Sequence, residues 1–171
     1  MELLDLKLGG TAPLDIILEA PESYFEEEKS DFEDDYEDDF ESEDSVTNGY
    51  WWNIINVKRL EAVHDYLDSL PEIGKVLSVA SGIKVAKELK DGEPISELDL
   101  ALVKNLLPED IQATFLSSYI SNDENQVRIS SRVLETSKSL KRNDLLKEIE
   151  DTLQNKFGFQ EVNHFMVKEL Y

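Results

Sequence analysis

The sequence predicts an α+β fold in which two strand–helix–strand units share one sheet, and three observations lead there. Over residues 126–136 the side chains alternate, with Val127, Ile129 and Val133 on one side and Arg128, Ser130 and Arg132 on the other. A period of two marks a strand with one buried and one polar face. After Lys138 the period lengthens, and Leu145 or Leu146, Ile149, Leu153 and Phe157 recur every three or four residues, as on the inner stripe of a helix. Gly158 stands just past the last apolar turn, where a glycine can take the left-handed conformation that ends helices. An apolar run over residues 162–171 follows at once. Strand, helix, strand is a crossover, and it needs other strands beside it.

The first half of the chain supplies them. Gly9 and Gly10 mark a turn, and behind them Leu14, Ile16, Leu18 and Ala20 alternate with Asp15, Ile17 and Glu19, which predicts a first strand over residues 11–20. Pro13 places its start at an edge or at the first residues of the strand, because proline cannot donate to a ladder. Asn56 is the expected N-cap of the next helix, whose stripe is Val57, Leu60, Val63 or His64, Leu67 and Leu70, and Pro71 ends it. Residues 75–81, after Gly74, form an apolar run long enough for a strand and too short for a helix.

From Gly82 to about residue 124 the pattern is helical. Ile83, Val85, Ala86 and Leu89 fit one short helix, which Asp91-Gly92-Glu93-Pro94 breaks. Ser96 and Asp99 resemble a capping box before Leu98, Leu100, Leu102, Val103 and Leu106. Pro108 begins a further helix with Ile111, Phe115, Leu116, Tyr119 and Ile120, and residues 121–125 turn the chain back into the strand.

The expected organisation is therefore one domain over residues 1–171. A first βαβ unit covers 11–81 and is interrupted by an acidic loop at 22–45, a helical insertion covers 82–124, and a second βαβ unit covers 126–171. Two such units form a four-stranded sheet with helices on one face, the split or ferredoxin-like arrangement, with the helical segment inserted between strands 2 and 3.

Composition limits function. The 171 residues suffice for one sizeable core. Lys and Arg total 17 against 38 Asp and Glu, a formal charge of -21, and so acidic a chain repels phosphate backbones, which argues against a nucleic-acid partner. With no cysteine there are no disulfides, thiol nucleophiles or thiolate metal sites. The start of the chain has no basic region followed by an apolar stretch, and no run of about 18 apolar residues could cross a bilayer.

Much of the charge is local. Residues 22–44 hold fourteen acids and one base, Lys29, a composition that normally stays solvated because self-repulsion opposes collapse. Two other readings stay open. Phe32, Tyr36 and Phe40 have helical spacing and could dock as an aromatic stripe. Asp31, Glu33 and Asp35 are spaced like the opening of a calcium loop, but the glycine that such a loop needs is missing.

Catalytic constellations are thin. His64 and His164 are not spaced to share a metal and are expected to be packed or surface residues. Gly9-Gly10-Thr11 precedes a strand and lacks the lysine of a phosphate loop. Arg128 and Arg132 share a strand face and could hold a carboxylate or phosphate, although such pairs more often meet nearby acids. No catalytic residue, cofactor or metal site is expected. Tyr50, Trp51 and Trp52 are the candidate contacts for a lipid surface or an apolar ligand, since their rings combine an apolar body with a polar edge. The bland alternative packs one tryptophan in the core and lays the other over the start of a helix.

The sequence Leu8-Gly9-Gly10-Thr11-Ala12-Pro13-Leu14-Asp15-Ile16-Ile17 resembles the first strand of an extracytoplasmic porter domain in the resistance-nodulation-division exporter superfamily, of the hydrophobe or amphiphile type. Gly74-Lys75-Val76-Leu77-Ser78 resembles its second strand, and Gln126-Val127-Arg128-Ile129-Ser130-Ser131-Arg132 with residues 145–149 resembles its second crossover. The likeness covers residues 8–171 apart from the acidic segment.

The resemblance implies a periplasmic loop of an inner-membrane protein, cut out between membrane helices. It implies as partners those helices and a second porter domain, an apolar or amphiphilic small molecule or lipid as cargo, and a candidate homo-oligomer. The family couples proton entry to export, but its titrating carboxylates lie in membrane helices, so none is carried over to this chain. A self-contained acidic interaction module that binds a basic partner through residues 22–44 is the alternative from another class. An enzyme using Arg128 or Arg132 is a third.

Overall fold

The computed structural model describes residues 7–22, 24, 49–100, 117–160 and 162–166. It is a mixed α/β structure built on an antiparallel sheet. Its elements are β1 (Ala12–Glu19), a single 3-10 turn (Tyr50–Trp52), α1 (Ile54–Asp68), β2 (Ile73–Leu77), α2 (Val79–Leu89), β3 (Gln126–Val133), α3 (Arg142–Asn155) and β4 (Val162–Met166). β1 and β3 pair antiparallel along their whole length, from Ala12 opposite Val133 to Glu19 opposite Gln126. β2 pairs antiparallel with the other edge of β3, with a register shift between Ile73 and Val76. The β4 backbone runs antiparallel to β1, with Leu14 opposite Met166, so the strand order is β2-β3-β1-β4. β3 thus lies between β1 and β2.

The alternation expected for β3 is present: Val127, Ile129, Ser131 and Val133 are buried, while Arg128 and Arg132 are exposed. Ser131 is tolerated on the inner face because its hydroxyl donates to the Leu14 carbonyl across the ladder at 3.0 Å. Leu14, Ile16 and Leu18 of β1 share this face, and α1 (Val57, Leu60, Val63, Leu67) and α3 (Leu145, Ile149, Leu153) complete the same core. One sheet face therefore holds most of the apolar burial, which at roughly 25 cal/mol per Å² is the main term favouring the fold. α3 stops as its glycine predicts. Gly158 has φ 71°, its N–H donates to the Gln154 carbonyl at 3.2 Å, and the Phe159 N–H reaches the Leu153 carbonyl at 3.1 Å, the paired bonds of a glycine-terminated helix.

Several boundaries differ from expectation. α1 is capped by Asn53, whose side chain accepts the Asn56 N–H at 2.8 Å. Asn56 is not the cap: it is buried inside the first turn and donates to the Tyr50 carbonyl at 2.6 Å. β2 ends at Leu77 because Ser78 breaks the ladder to cap α2, its side chain accepting from Ala80 N–H at 3.1 Å while Ser81 Oγ accepts the Ser78 N–H at 3.1 Å. Val79, Ala80 and Ser81 thus open a helix instead of closing a strand. The break at Asp91-Gly92 is present, with φ of 57° and 85°. So is the box at Ser96, whose hydroxyl accepts the Asp99 N–H at 3.3 Å while Asp99 takes the Ser96 N–H at 2.8 Å.

Gly9 and Gly10 pack against the sheet. The Gly9 carbonyl accepts the Lys75 N–H at 3.0 Å, and a Cβ placed on Gly74 would sit 1.9 Å from that same carbonyl oxygen. Only a glycine lets these two backbones approach so closely. Outside the described residues lie the acidic segment's aromatic stripe at 32, 36 and 40 and its acids at 31, 33 and 35, the stripe residues 102, 103 and 106, residues 111, 115 and 116, and the run beyond 166.

Candidate functional site: a cavity between the first turn of α1 and the end of α3

The turn at Tyr50–Trp52 is held by its own backbone and by the cap of α1. Trp52 N–H donates to the Gly49 carbonyl at 3.1 Å, and the Tyr50 carbonyl accepts from both Asn53 Nδ2 at 2.9 Å and Asn56 Nδ2 at 2.6 Å. This fixes Trp51 in the core, edge-on to Tyr50 at 4.9 Å and stacked on Phe159 at 6.2 Å between ring centres. Its indole N–H donates to the Asn125 carbonyl at 3.3 Å, which also takes the Ala20 N–H at 2.8 Å. One carbonyl in the turn before β3 therefore anchors both the end of β1 and the aromatic cluster.

Arg59, one helical turn or so behind the cap, reaches into the same place. Its guanidinium carbon lies 4.4 Å from the centre of the Phe159 ring, a cation–π distance. Nη2 donates to the Phe157 carbonyl at 2.6 Å, and Nη1 donates to the Tyr50 hydroxyl and to Asn56 Oδ1, both at 3.2 Å. All three acceptors are neutral, and of the five N–H groups of a guanidinium two have no acceptor among the described residues. Asn125 Oδ1 is enclosed and has no hydrogen-bond partner among the described residues, a condition that costs free energy. These groups, with Glu19 and Glu22, line a cavity of about 340 Å³, at the low end of the range of roughly 300–1,000 Å³ typical of small-molecule sites.

The residues singled out from sequence fall unevenly around this cavity. Tyr50 lines it and is partly exposed. Trp51 and Trp52 are 1% and 2% exposed, so as placed neither ring offers a face to lipid or cargo, and both serve as core. Arg128 pairs with Asp15 at 2.6 Å on the open face of the sheet, the meeting with a nearby acid that its strand position suggested. Arg132 lines a separate groove with Lys7, Asp68 and Lys75. His64 is buried on α1, its Nδ1 2.9 Å from Ser78 Oγ, and His164 pairs through its backbone opposite Ile16 in β4. Among the described residues no three metal-ligating side chains converge, and no helix is long and apolar enough to cross a membrane.

Arg59, Asn125 and Phe159 were not candidates on sequence. They come from three distant segments, and none carries a local spacing signal; only the neighbouring Tyr50-Trp51-Trp52 cluster points toward the place. No protein-family model matches the chain, and no curated protein matches it.

Proposed function

We propose that this chain is a periplasmic porter domain of a proton-driven exporter of the resistance-nodulation-division superfamily, and that its sheet follows the four-stranded ferredoxin-like plan. The observation that carries the reading is the strand order β2-β3-β1-β4 with antiparallel neighbours throughout. Interleaving two strand–helix–strand units in this way is what the split βαβ arrangement requires, and it agrees with the plan implied by the resemblance of residues 8–17, 74–78 and 126–132. α1 and α3 share one core with β1 and β3, so the two units move together. A body of this kind suits a transport path, because it tilts as a unit and opens or closes a cleft beside it without unfolding.

In this role the domain lines and gates the passage of an apolar or amphiphilic cargo, while proton transfer belongs to membrane helices elsewhere in the protein. Tyr50, partly exposed at the cavity rim, remains the cargo contact proposed from the aromatic triplet, with Trp51 and Trp52 supporting it from beneath. The gene on both sides of residues 1–171 tests this. It should encode apolar runs of about 20 residues close to each side, the length that crosses a bilayer as a helix. Charged or polar flanks on both sides would contradict the reading.

A further inference from the structure

We propose that the end of the open sheet face marked by Lys7, Lys75 and Arg132 docks on an anionic bilayer surface, with lipid phosphates among the three cations. The inference goes beyond the porter reading and does not rest on it, because it follows from the charge and exposure of groups on one face of the sheet.

Strand alternation sets the face. α1 and α3 share a core with Leu14, Ile129 and Val133, so Lys75, Leu77 and Arg132, at the opposite phase of their strands, stand on the side away from these helices. The turn before β1 adds two residues there. Gly9 lies against Lys75 and Gly10 against Arg132, and Lys7 and Leu8 line one open groove with Lys75 and Arg132.

The charge of that groove runs against the rest of the chain. Acids outnumber bases 38 to 17 overall, yet here three bases meet one acid, Asp68. Lys84, Lys87, Lys90 and Arg128 each reach an acid, whereas Lys7, Lys75 and Arg132 pair with none among the described residues. All three are exposed. Unpaired cations held side by side complement a layer of lipid phosphates. Apolar side chains stand among them, Leu8 at 51% and Leu77 at 37% exposure. A free phosphate ion has no use for these leucines. A bilayer does, because beneath its phosphates lies the boundary of headgroup and acyl chain, where exposed leucine is buried. The formal charge of -21 opposes approach from a distance, but at physiological salt the Debye length is about 8 Å. At contact the groove's own charges govern.

Flotation of the 171-residue chain with vesicles of phosphatidylcholine alone, and of phosphatidylcholine with about 30% phosphatidylglycerol, reads the docking directly. Binding should require phosphatidylglycerol, weaken as salt is raised, and survive about 10 mM inorganic phosphate at constant ionic strength. Lys75→Gln combined with Arg132→Gln should weaken the partition at least about tenfold, and Leu8→Ser should weaken it as well. The three side chains are exposed, and circular dichroism checks that each variant keeps the fold. Lys58→Gln and Lys147→Gln, which alter exposed cations on α1 and α3, should float as wild type does. Should a variant unfold, the comparison of the two vesicles on the wild type still decides.

Equal flotation with both vesicles, or none with either, overturns the proposal. Displacement by inorganic phosphate together with an unchanged Leu8→Ser overturns it in favour of a simple anion site. Equal weakening by Lys58→Gln and Lys147→Gln overturns it too, since bulk charge and not this groove would then govern.

Discussion

His64 Nδ1 lies 2.9 Å from Ser78 Oγ in the core between α1 and the start of α2. Ser78 Oγ also accepts the Ala80 N–H at 3.1 Å, so the hydroxyl that caps α2 is the one that meets the ring. Burial first, and then Lys84 nearby, push the pKa of His64 below its usual 6.5, against the opposing pull of Asp65, Asp68 and Glu61. The bond couples the cap of one helix to the charge state of another.

A pH dependence follows from the direction of that shift. Folding favours the neutral ring, so the stabilisation is fully present above pH 6.5 and is lost as pH falls below it toward the folded-state pKa. Thermal melts of wild type and His64→Gln at about pH 8 and about pH 5 measure it. Wild type should lose more stability on acidification than the variant, which has no ring to protonate. Equal losses would mean that His64 is not held neutral.

The contact between Gly74 and Gly9 should tolerate no side chain. Because a Cβ on Gly74 meets the Gly9 carbonyl oxygen at 1.9 Å, Gly74→Ala must push two backbones apart and should cost about 1–3 kcal/mol in urea unfolding. Gly92→Ala is the control: its φ is 85° and its Cβ meets nothing within 4 Å, so it should cost only about 1 kcal/mol, from backbone strain.

The aromatic pair should behave as core. Trp51, 1% exposed and bonded through its indole N–H to the Asn125 carbonyl, should lose about 3–5 kcal/mol on Trp51→Ala. Ile55, 70% exposed, should change stability by less than about 0.5 kcal/mol on Ile55→Ala. Denaturant midpoints of the two variants check this, and a near-neutral Trp51→Ala would return that ring to the list of surface contacts.

Asn53, and not Asn56, should carry the cap of α1. Removing the acceptor for the Asn56 N–H at 2.8 Å with Asn53→Ala should cost about 1 kcal/mol, within the usual cap range of roughly 0.5–2 kcal/mol. Amide hydrogen exchange at Asn56 should then accelerate, and an unchanged rate would put the start of the helix elsewhere.

What the sequence made legible was periodic. The two-residue alternation of β3, the stripe of α3 and its glycine stop survive in the structure because each depends on repeated side chains or on one backbone requirement. Short boundaries were harder to see. Asn53 and Asn56 are both good caps three residues apart, and only the pull of Asn56 Nδ2 toward the Tyr50 carbonyl decides between them. Val79 and Ala80 suit a strand or a buried helix equally well, and the choice falls to Ser78 and Ser81 bonding each other's ends. The cavity was legible only through Tyr50. Arg59 looked like any helix arginine until the chain brought Phe157 and Phe159 beside it, and Asn125 looked like a turn residue until its carbonyl was claimed by Trp51 and Ala20.

The most direct test of the proposed transport role is efflux of an amphiphilic fluorescent dye from sealed vesicles prepared with the full-length protein, with a proton gradient imposed and then collapsed. Efflux that requires the gradient, and that stops when Gly74→Ala disturbs the contact between the Gly9 turn and β2, is the predicted result. A protein that remains in the aqueous fraction, or dye movement indifferent to both gradient and domain, would contradict it.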